Sequence, residues 1–417
     1  MIFSIVFNYY TSKILCRPKG KKRRAILLSG VAVNLLLLVY YKYLSFFVRE
    51  AAMFFTGSNL YEGYFAEIVL PIGISFYTFQ GMSAVIDAYR REFESPPSLI
   101  DFGMYLSAFP QLIAGPIVRF VEIKDQIRHR SVTSSAFYEG SVRFCFGLSK
   151  KVLLADSFAR IADSIFSLPL NELSFFISWF GVFSYALQIY FDFSAYSDMA
   201  IGIGLALGFR FPENFNNPYR ATSITDFWRR WHMTLSRWFR DYLYIPLGGN
   251  RMGAVRTYLN LYTVFFLCGF WHGASYNFIL WGLYHGTLLT IERIMSAVFN
   301  FETKGVFGSI LTFVLVLVGW AIFRSDNLNV LSGFLGNMFS TNIFPIFHPI
   351  TRAHLTTDII LIYFIAIIMI LFSGHSFLVN RVFSSNLIKA SLALVLLVLS
   401  LASIAGNEFH PFIYFRF

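Results

Sequence analysis

Charge is scarce in this chain. Of its 417 residues only 14% are Asp, Glu, Lys or Arg, where a soluble domain carries about a quarter. Hydrophobic residues make up 56%, and phenylalanine alone occurs 50 times. This balance excludes an ordinary soluble domain and points to an integral membrane protein, where burial means burial in lipid as well as in a core. Cysteine is nearly missing. Cys16, Cys145 and Cys268 stand far apart with no Cys-x-x-Cys pair, so neither a disulfide framework nor a zinc site is indicated. No His-x-x-x-His or His-Glu-x-x-His spacing occurs, which argues against a metal site. Without a Gly-x-Ser-x-Gly elbow, a covalent serine route has no support. The N-terminal MIFSIVFNYYTSKIL lacks a basic leader and a small-residue cleavage site, so it does not read as a signal peptide. Linkers, low-complexity tracts and periodic repeats are missing as well, and the expectation is one domain over residues 1–417.

What charge there is leans basic, 34 Lys and Arg against 23 Asp and Glu, a formal net charge of +11. The basic residues fall in short runs between apolar segments. That is the positive-inside pattern of membrane topology, not a nucleic-acid surface. Residues 2–15 are apolar but short of the roughly 20 residues a span needs. Lys19 to Arg24 is the strongest basic run and is expected in the cytoplasm. Ala25 to Val48 reads as a span, with Tyr40, Tyr41 and Tyr43 as interface anchors near its far end. Tyr64 to Ile86 returns the chain, with Pro71 and Gly73 as expected kink points, and Arg90-Arg91 mark the cytoplasmic side again.

Residues 101–118, with Pro110 and Gly115-Pro116, and residues 136–155, interrupted by Arg143, Ser149, Lys150 and Lys151, carry positive charge on both flanks. They are expected as re-entrant or short broken helices tucked into the protein, where irregular backbone is tolerated. Leu173 to Tyr190 is a further span. In the FDFSAYSDMAIGIGLALGFRF that follows, Gln188, Asp192 and Tyr196 share one helix face, with Asp198 on a neighbouring face. An ion pair with an arginine of the next segment and a functional role are weighed equally for these acids. Residues 307–323, 330–347, 357–373 and 387–405 complete roughly ten membrane segments. The expected architecture is an all-α polytopic membrane protein. His348, His354, His375 and His410 fall in or near loops and read as surface residues.

Residues 222–286 hold His232, His272 and His285, three of the eight histidines, with the densest cluster of arginine and tryptophan. Over 224–243 a helical periodicity places Trp228, Trp231, Leu235, Trp238, Phe239 and Tyr242 on one face. Asp226, Arg230, Met233, Arg237, Arg240 and Asp241 fall largely opposite. Ser223 and Asp226 resemble a capping box, and Pro246 with Gly248-Gly249 ends the element. Such a helix is expected in the membrane interface, with His232 at the boundary of its faces. Lipid-headgroup contact is the simpler role for its arginines; the alternative is a guanidinium platform for the phosphates of an acyl donor. Gly248-Gly249-Asn250-Arg251 lacks the Lys-Ser/Thr ending of a phosphate loop and is a turn. His272 follows the apolar run Tyr258–Phe270 and is the natural general base. His285 lies thirteen residues on, which places it about 20 Å away on an unbroken helix, so it is assigned to packing.

The block ENFNNPYRATSITDFWRRWHMTLSRWFRDYLYIPLGGNR resembles the membrane-bound O-acyltransferases, in particular the bacterial branch that O-acetylates exported polysaccharides such as alginate. LQIYFDFSAYSDMAIGIGLALGFRFPENFNNPYR, WHGASYNFILWGLYHG, PIGISFYTFQGMSAVIDAYR, FPQLIAGPIVR and the terminal PFIYFRF extend the likeness over nearly the whole chain. The teichoic acid D-alanyl transfer protein is a close relative of that branch, and IPLGGNR favours the acetyl side. By this resemblance His272 matches the essential histidine and His232 the second motif histidine. It implies a ring of helices around a thin centre, with interfacial helices and funnels from both faces meeting near the essential histidine. It implies a cytosolic acyl thioester donor, acetyl-CoA first, and no bound cofactor. Asp226, Arg229, Arg230, Trp231, Arg237 and Asp198 are expected along the donor or substrate channel. Expected partners are membrane lipid, a polysaccharide acceptor and an extracytoplasmic acyltransferase that completes the transfer. The expected location is the bacterial cytoplasmic membrane, crossed several times. Family members begin with further hydrophobic helices ahead of Asn8-Tyr9-Tyr10, so the expectation is that those helices are lacking here.

Two other functions compete on the sequence. A flippase for a lipid-linked glycan would use Asp192 and Asp198 with a basic vestibule, but it predicts an internal inverted repeat that is not seen. A scaffold that only recruits an exported partner would leave His272 dispensable.

Overall fold

The computed structural model describes residues 1–17, 22–57, 69–96, 98–372, 385–406 and 411–413, and every regular element among them is helical. The order is α1 (Ile2–Cys16), α2 (Arg23–Leu38), a π-turn (Val39–Tyr43), α3 (Leu44–Thr56), α4 (Ile74–Arg90), α5 (Leu99–Ser107), α6 (Phe109–Leu112), α7 (Phe120–His129) and α8 (Ser134–Ser149). A second π-turn (Lys150–Ala155), α9 (Asp156–Phe166), α10 (Phe175–Ala206), α11 (Ile224–Arg230), α12 (Met233–Phe239), a third π-turn (Arg240–Tyr244), α13 (Ala254–His272) and α14 (Tyr276–Phe299) follow. The chain continues through α15 (Gly305–Arg324), α16 (Leu328–Met338), α17 (Pro349–His354), α18 (Thr357–Phe372) and α19 (Asn386–Gly406). This is an all-α polytopic membrane protein. Among the described residues three stretches are long and apolar enough to cross a bilayer by themselves, Arg23–Thr56, Gly305–Arg324 and Asn386–Gly406, and Thr357–Leu371 is shorter. The other helices expected as spans are short, broken, or interrupted by polar residues.

Several boundaries differ from those expected. The span placed at 25–48 is one 34-residue helix, so Tyr43 is not an anchor at its end. It is buried and stacks on Phe270 at 4.3 Å. Pro71 and Gly73 do not kink a span; they precede the first turn of α4, where Gly73 takes φ +73° against the Leu112 carbonyl. A side chain there would meet both a backbone penalty and a clash. Residues 64–68 of that segment lie outside the described residues.

Residues 101–118 are broken as expected, α5 and α6 giving way to a turn and irregular chain in which Ala114, Ile117 and Val118 are buried. Residues 136–155 are not broken. Helical backbone runs unbroken from 134 to 166, because each interrupting cation finds an acid. Arg143 is held by Asp198 at 2.8 Å and Glu213 at 2.5 Å, Lys150 by Asp198, and Lys151 by Asp192 at 2.7 Å and Asp156 at 2.8 Å. Residues 330–347 hold the short α16 and no span.

Small residues set the close contacts, as in other membrane bundles. Side chains at Gly140 and Gly202 would run into the opposing backbone of α10 and α8 respectively. Gly269 and Gly282 do the same for α13 and α14. Near the N-terminus, Asn8 and Asn34 exchange amide hydrogen bonds of 3.1 and 2.7 Å between α1 and α2, fully buried. The main apolar core surrounds α10 and takes in Trp228, Trp231, Trp238, Trp271, Trp281 and Trp320.

Candidate active site

The periodicity over 224–243 suggests one helix, but the backbone breaks at Trp231-His232. His232 takes a left-handed conformation, φ 42° and ψ 53°, between α11 and α12. For a residue with a Cβ this costs about 1–3 kcal/mol, so its surroundings must impose it. Asn214 does so. Its backbone carbonyl accepts from Met233 N at 2.9 Å, and Asn216 N donates to Arg230 O at 2.9 Å, so the loop strand at 214–216 is pinned to both sides of the break. The aromatic face does form, since all six apolar residues named for it are buried. It packs against protein core and not lipid, which corrects the picture of a helix lying open in the interface. Ser223 Oγ accepts from Asp226 N at 3.1 Å, and Asp226 Oδ2 accepts from Thr222 N at 3.2 Å, so the expected cap is present.

Asn214 also sets the His232 ring. Its Oδ1 accepts from Thr234 N at 3.3 Å and Thr234 Oγ1 at 2.9 Å, while its Nδ2 donates to Ser197 Oγ at 3.1 Å. A backbone N–H can only donate, so that atom is the amide oxygen. His232 Nδ1, 3.1 Å from it, is therefore the donor. The proton sits on Nδ1, and Nε2 is left as the lone-pair nitrogen of the neutral ring. Among the described residues Nε2 has no hydrogen-bond partner. The ring is buried, with Phe193 edge-on at 4.8 Å.

His272 is the last residue of α13. Its imidazole lies 5.0 Å from the Trp271 ring, 5.1 Å from Trp281 and 5.3 Å from Phe323. The Trp271 ring is also 6.2 Å from His232, so the two histidines share an indole neighbour. Beside His272 lies a cavity of about 10 Å³ lined by Trp231, Phe193, Trp281, Trp320, Phe323 and Ile413, about the space of a single water. Trp231, expected along the channel, thus reaches the same cavity as His272.

The chain does not continue as one helix from His272 to His285. Gly273 to Ser275 break it, and α14 returns beside α13. The separation expected on an unbroken helix therefore does not hold: His285 and His272 flank the same ring, each 5.1 Å from Trp281. His285 is nonetheless enclosed by aromatic rings, Trp228 at 5.1 Å and Tyr284 at 5.4 Å. Of the loop histidines, His348 pairs with Glu172 at 2.9 Å. His375 and His410 lie outside the described residues.

The other channel candidates divide. Arg230 is held by Asp226 at 2.8 Å and Arg237 by Glu122 at 3.0 Å. Arg229 is exposed and lines a cavity of about 240 Å³ between α11–α12 and the α13–α14 hairpin, together with Arg240 and Arg293. That cavity is apolar inside, with Val264, Phe265 and Cys268 on its wall. Trp228 Nε1 and Tyr244 Oη, of two further lining residues, are buried and have no hydrogen-bond partner among the described residues. Asp198 faces a different cavity of about 280 Å³, shared with Arg143, Lys150 and Asn214. It and Asp192 are ion-paired to the preceding helix, not to an arginine of the following segment. Asp192 also accepts from Ile413 N at 2.8 Å.

Sequence reasoning passed over Asn214, Arg293 and Lys42. Asn214 stands in a quoted motif, but its role depends on a loop crossing a helix break. Lys42 is a single lysine inside an apolar span, and that isolation was a readable signal.

Buried histidines at the end of α13 and at the break between α11 and α12, with an arginine-rimmed apolar cavity against the same helices, define a helical membrane protein that holds ionisable groups in its interior. The chain belongs to the membrane-bound O-acyltransferase family, whose model matches residues 27–332, and it is an O-acyltransferase. It is 41% identical to the probable alginate O-acetylase of Pseudomonas putida, over 96% of this chain and 86% of that protein. It is 35% identical to the peptidoglycan O-acetyltransferase of Helicobacter pylori, over 100% of this chain and 87% of that protein. A teichoic acid D-alanyltransferase of Bacillus subtilis is 30% identical over 52% of this chain and 58% of its own length.

Proposed function

We propose that this protein transfers an acetyl group from cytosolic acetyl-CoA toward hydroxyls of a cell-envelope polysaccharide or peptidoglycan. It works in the bacterial cytoplasmic membrane, which it crosses several times, as a single membrane domain. An extracytoplasmic acyltransferase completes delivery to the glycan. The observation that carries this reading is His272, buried at the end of α13 with His232 near the same indole, Trp271. His272 acts as general base. It takes the proton of the attacking hydroxyl as that oxygen bonds to the thioester carbonyl carbon; the C–S bond then breaks, and the proton passes to the departing thiolate. The products are an acetyl ester and the free thiol, and no further reactant is needed. His232, with its proton held on Nδ1 by Asn214, supports this step through its lone-pair nitrogen.

The donor takes the cavity between α11–α12 and α13–α14. Arg229, Arg240 and Arg293 meet its phosphates, and the arm's amide oxygens match the partnerless Trp228 Nε1 and Tyr244 Oη. Arg230 and Arg237 serve the scaffold through their ion pairs. The acetyl reading stands ahead of D-alanyl transfer because the acetyl-transferring relatives match over most of the chain and the D-alanyltransferase over half. A flippase would draw on Asp192 and Asp198, and both are already neutralised by cations.

The test is incorporation of [14C]acetyl-CoA label into envelope glycan by membranes carrying the full chain. His272→Ala is expected to keep folded protein and to lose transfer by about 10²–10⁴-fold, the usual worth of a general base. Arg229→Gln with Arg293→Gln is expected to raise the KM for acetyl-CoA. Normal transfer by His272→Ala would sink the reading.

A further inference from the structure

Lys42 lies in the π-turn Val39–Tyr43 within the long helix Arg23–Thr56, flanked by Tyr41 and Tyr43 in an apolar stretch. A charged side chain in such a segment is costly and is retained for a partner or a function. π-turns, with one extra residue per turn, recur at functional sites. The ammonium donates to Trp271 O at 2.6 Å, His272 O at 3.1 Å and Ser75 Oγ at 3.4 Å. It also sits 5.7 Å from the Trp271 ring.

Those two carbonyls belong to the last residues of α13, where a helix leaves its carbonyls without intrahelical donors and carries partial negative charge. A lysine supplied from 230 residues away in sequence caps the helix at the histidine itself. The following Gly273 is extended, ending the helix, and it packs so close to the Phe278 ring that a side chain there would clash.

We propose that Lys42 is a positioning residue for His272, fixing the peptide units from which the imidazole projects so that it meets the acceptor hydroxyl. This rests on the reading of His272 as general base. An ammonium has three donors, and all three are engaged by protein oxygen, so Lys42 acts through the backbone and not on the thioester.

Lys42→Met, which keeps length and removes the donors, and Lys42→Arg, which keeps charge and donors, are compared with His272→Ala in the acetyl-CoA assay. Lys42→Met is expected to lower Vmax per mole of protein about 10–100-fold, the range for a slightly misplaced catalytic group. The KM for acetyl-CoA should stay within about twofold and Lys42→Arg should recover most of Vmax, as expected for an interaction used in the transition state only. Wild-type Vmax in Lys42→Met beside an inactive His272→Ala overturns the proposal and leaves the histidine reading intact. Wild-type activity in His272→Ala overturns the histidine reading and the proposal with it. If Lys42→Met does not accumulate as folded protein, Lys42→Arg decides: folded and active supports the proposal, folded and as inactive as His272→Ala overturns it.

Discussion

His232 sits in a backbone conformation that favours glycine, pinned by the backbone of Asn214 and Asn216, and its ring is set by the Asn214 side chain. Asn214→Leu keeps the volume and removes the acceptor shared by His232 Nδ1, Thr234 N and Thr234 Oγ1. Each buried donor left without a partner costs about 1–3 kcal/mol. The expected outcome is a lower unfolding midpoint in detergent together with reduced transfer, since the ring also loses the bond that fixes its tautomer. Asn214→Asp, which retains an acceptor at that position, is expected to retain more stability than the leucine variant. An Asn214→Leu protein with wild-type unfolding and activity would show that the Asn214 amide does not set the His232 ring. None of this was legible from residue types alone. The histidine could be singled out by rarity, but its partner comes from a loop eighteen positions away that crosses it only in the folded chain.

At the scale of elements, the α13–α14 hairpin sets how His272 meets its neighbours. Gly269 and Gly282 let the two helices touch backbone to backbone. Gly282→Val forces them apart, and overpacking of this kind costs about 1–3 kcal/mol. Less folded protein and weaker transfer are expected, read by size-exclusion yield and the acetyl-CoA assay. Gly336→Ala, on an open face of α16 with nothing nearby, is the control and should match wild type. Sequence periodicity marked the apolar faces of α11 and α12 correctly, because a face directed at the core survives a one-residue break. It could not show the break, which carries neither glycine nor proline. It also read the charged 136–155 stretch as a broken segment, when the acids that allow a continuous helix lie, apart from Asp156, on α10 and just beyond it, at Glu213.

For the whole molecule, basic residues from separate elements gather at one end. Arg90 donates to Asp241 O at 2.8 Å, Arg119 pairs with Asp241 at 3.2 Å, and Arg237 reaches Glu122 at 3.0 Å. By the positive-inside rule this end is expected on the cytoplasmic side. Arg251→Cys is therefore expected to react with a membrane-impermeant maleimide in inverted vesicles and not in intact cells. Glu50→Cys, beside Tyr276 near the other end of α13, is expected to show the reverse. The same side for both would refute the orientation.

Composition and patterning by themselves determined the class of this protein, since so few charges among so many apolar residues leave a helical membrane protein as the physical solution. Motif density determined the family. Rarity of ionisable groups at membrane depth brought His232 and His272 forward. The tertiary structure alone decided which charges are spent on scaffold, as with Arg230, Arg237, Asp192 and Asp198, and which line a cavity, as with Arg229. It alone placed Asn214 behind His232 and Lys42 beneath His272. Pairings of this kind depend on distances across the fold, and periodicity along a chain carries no information about them.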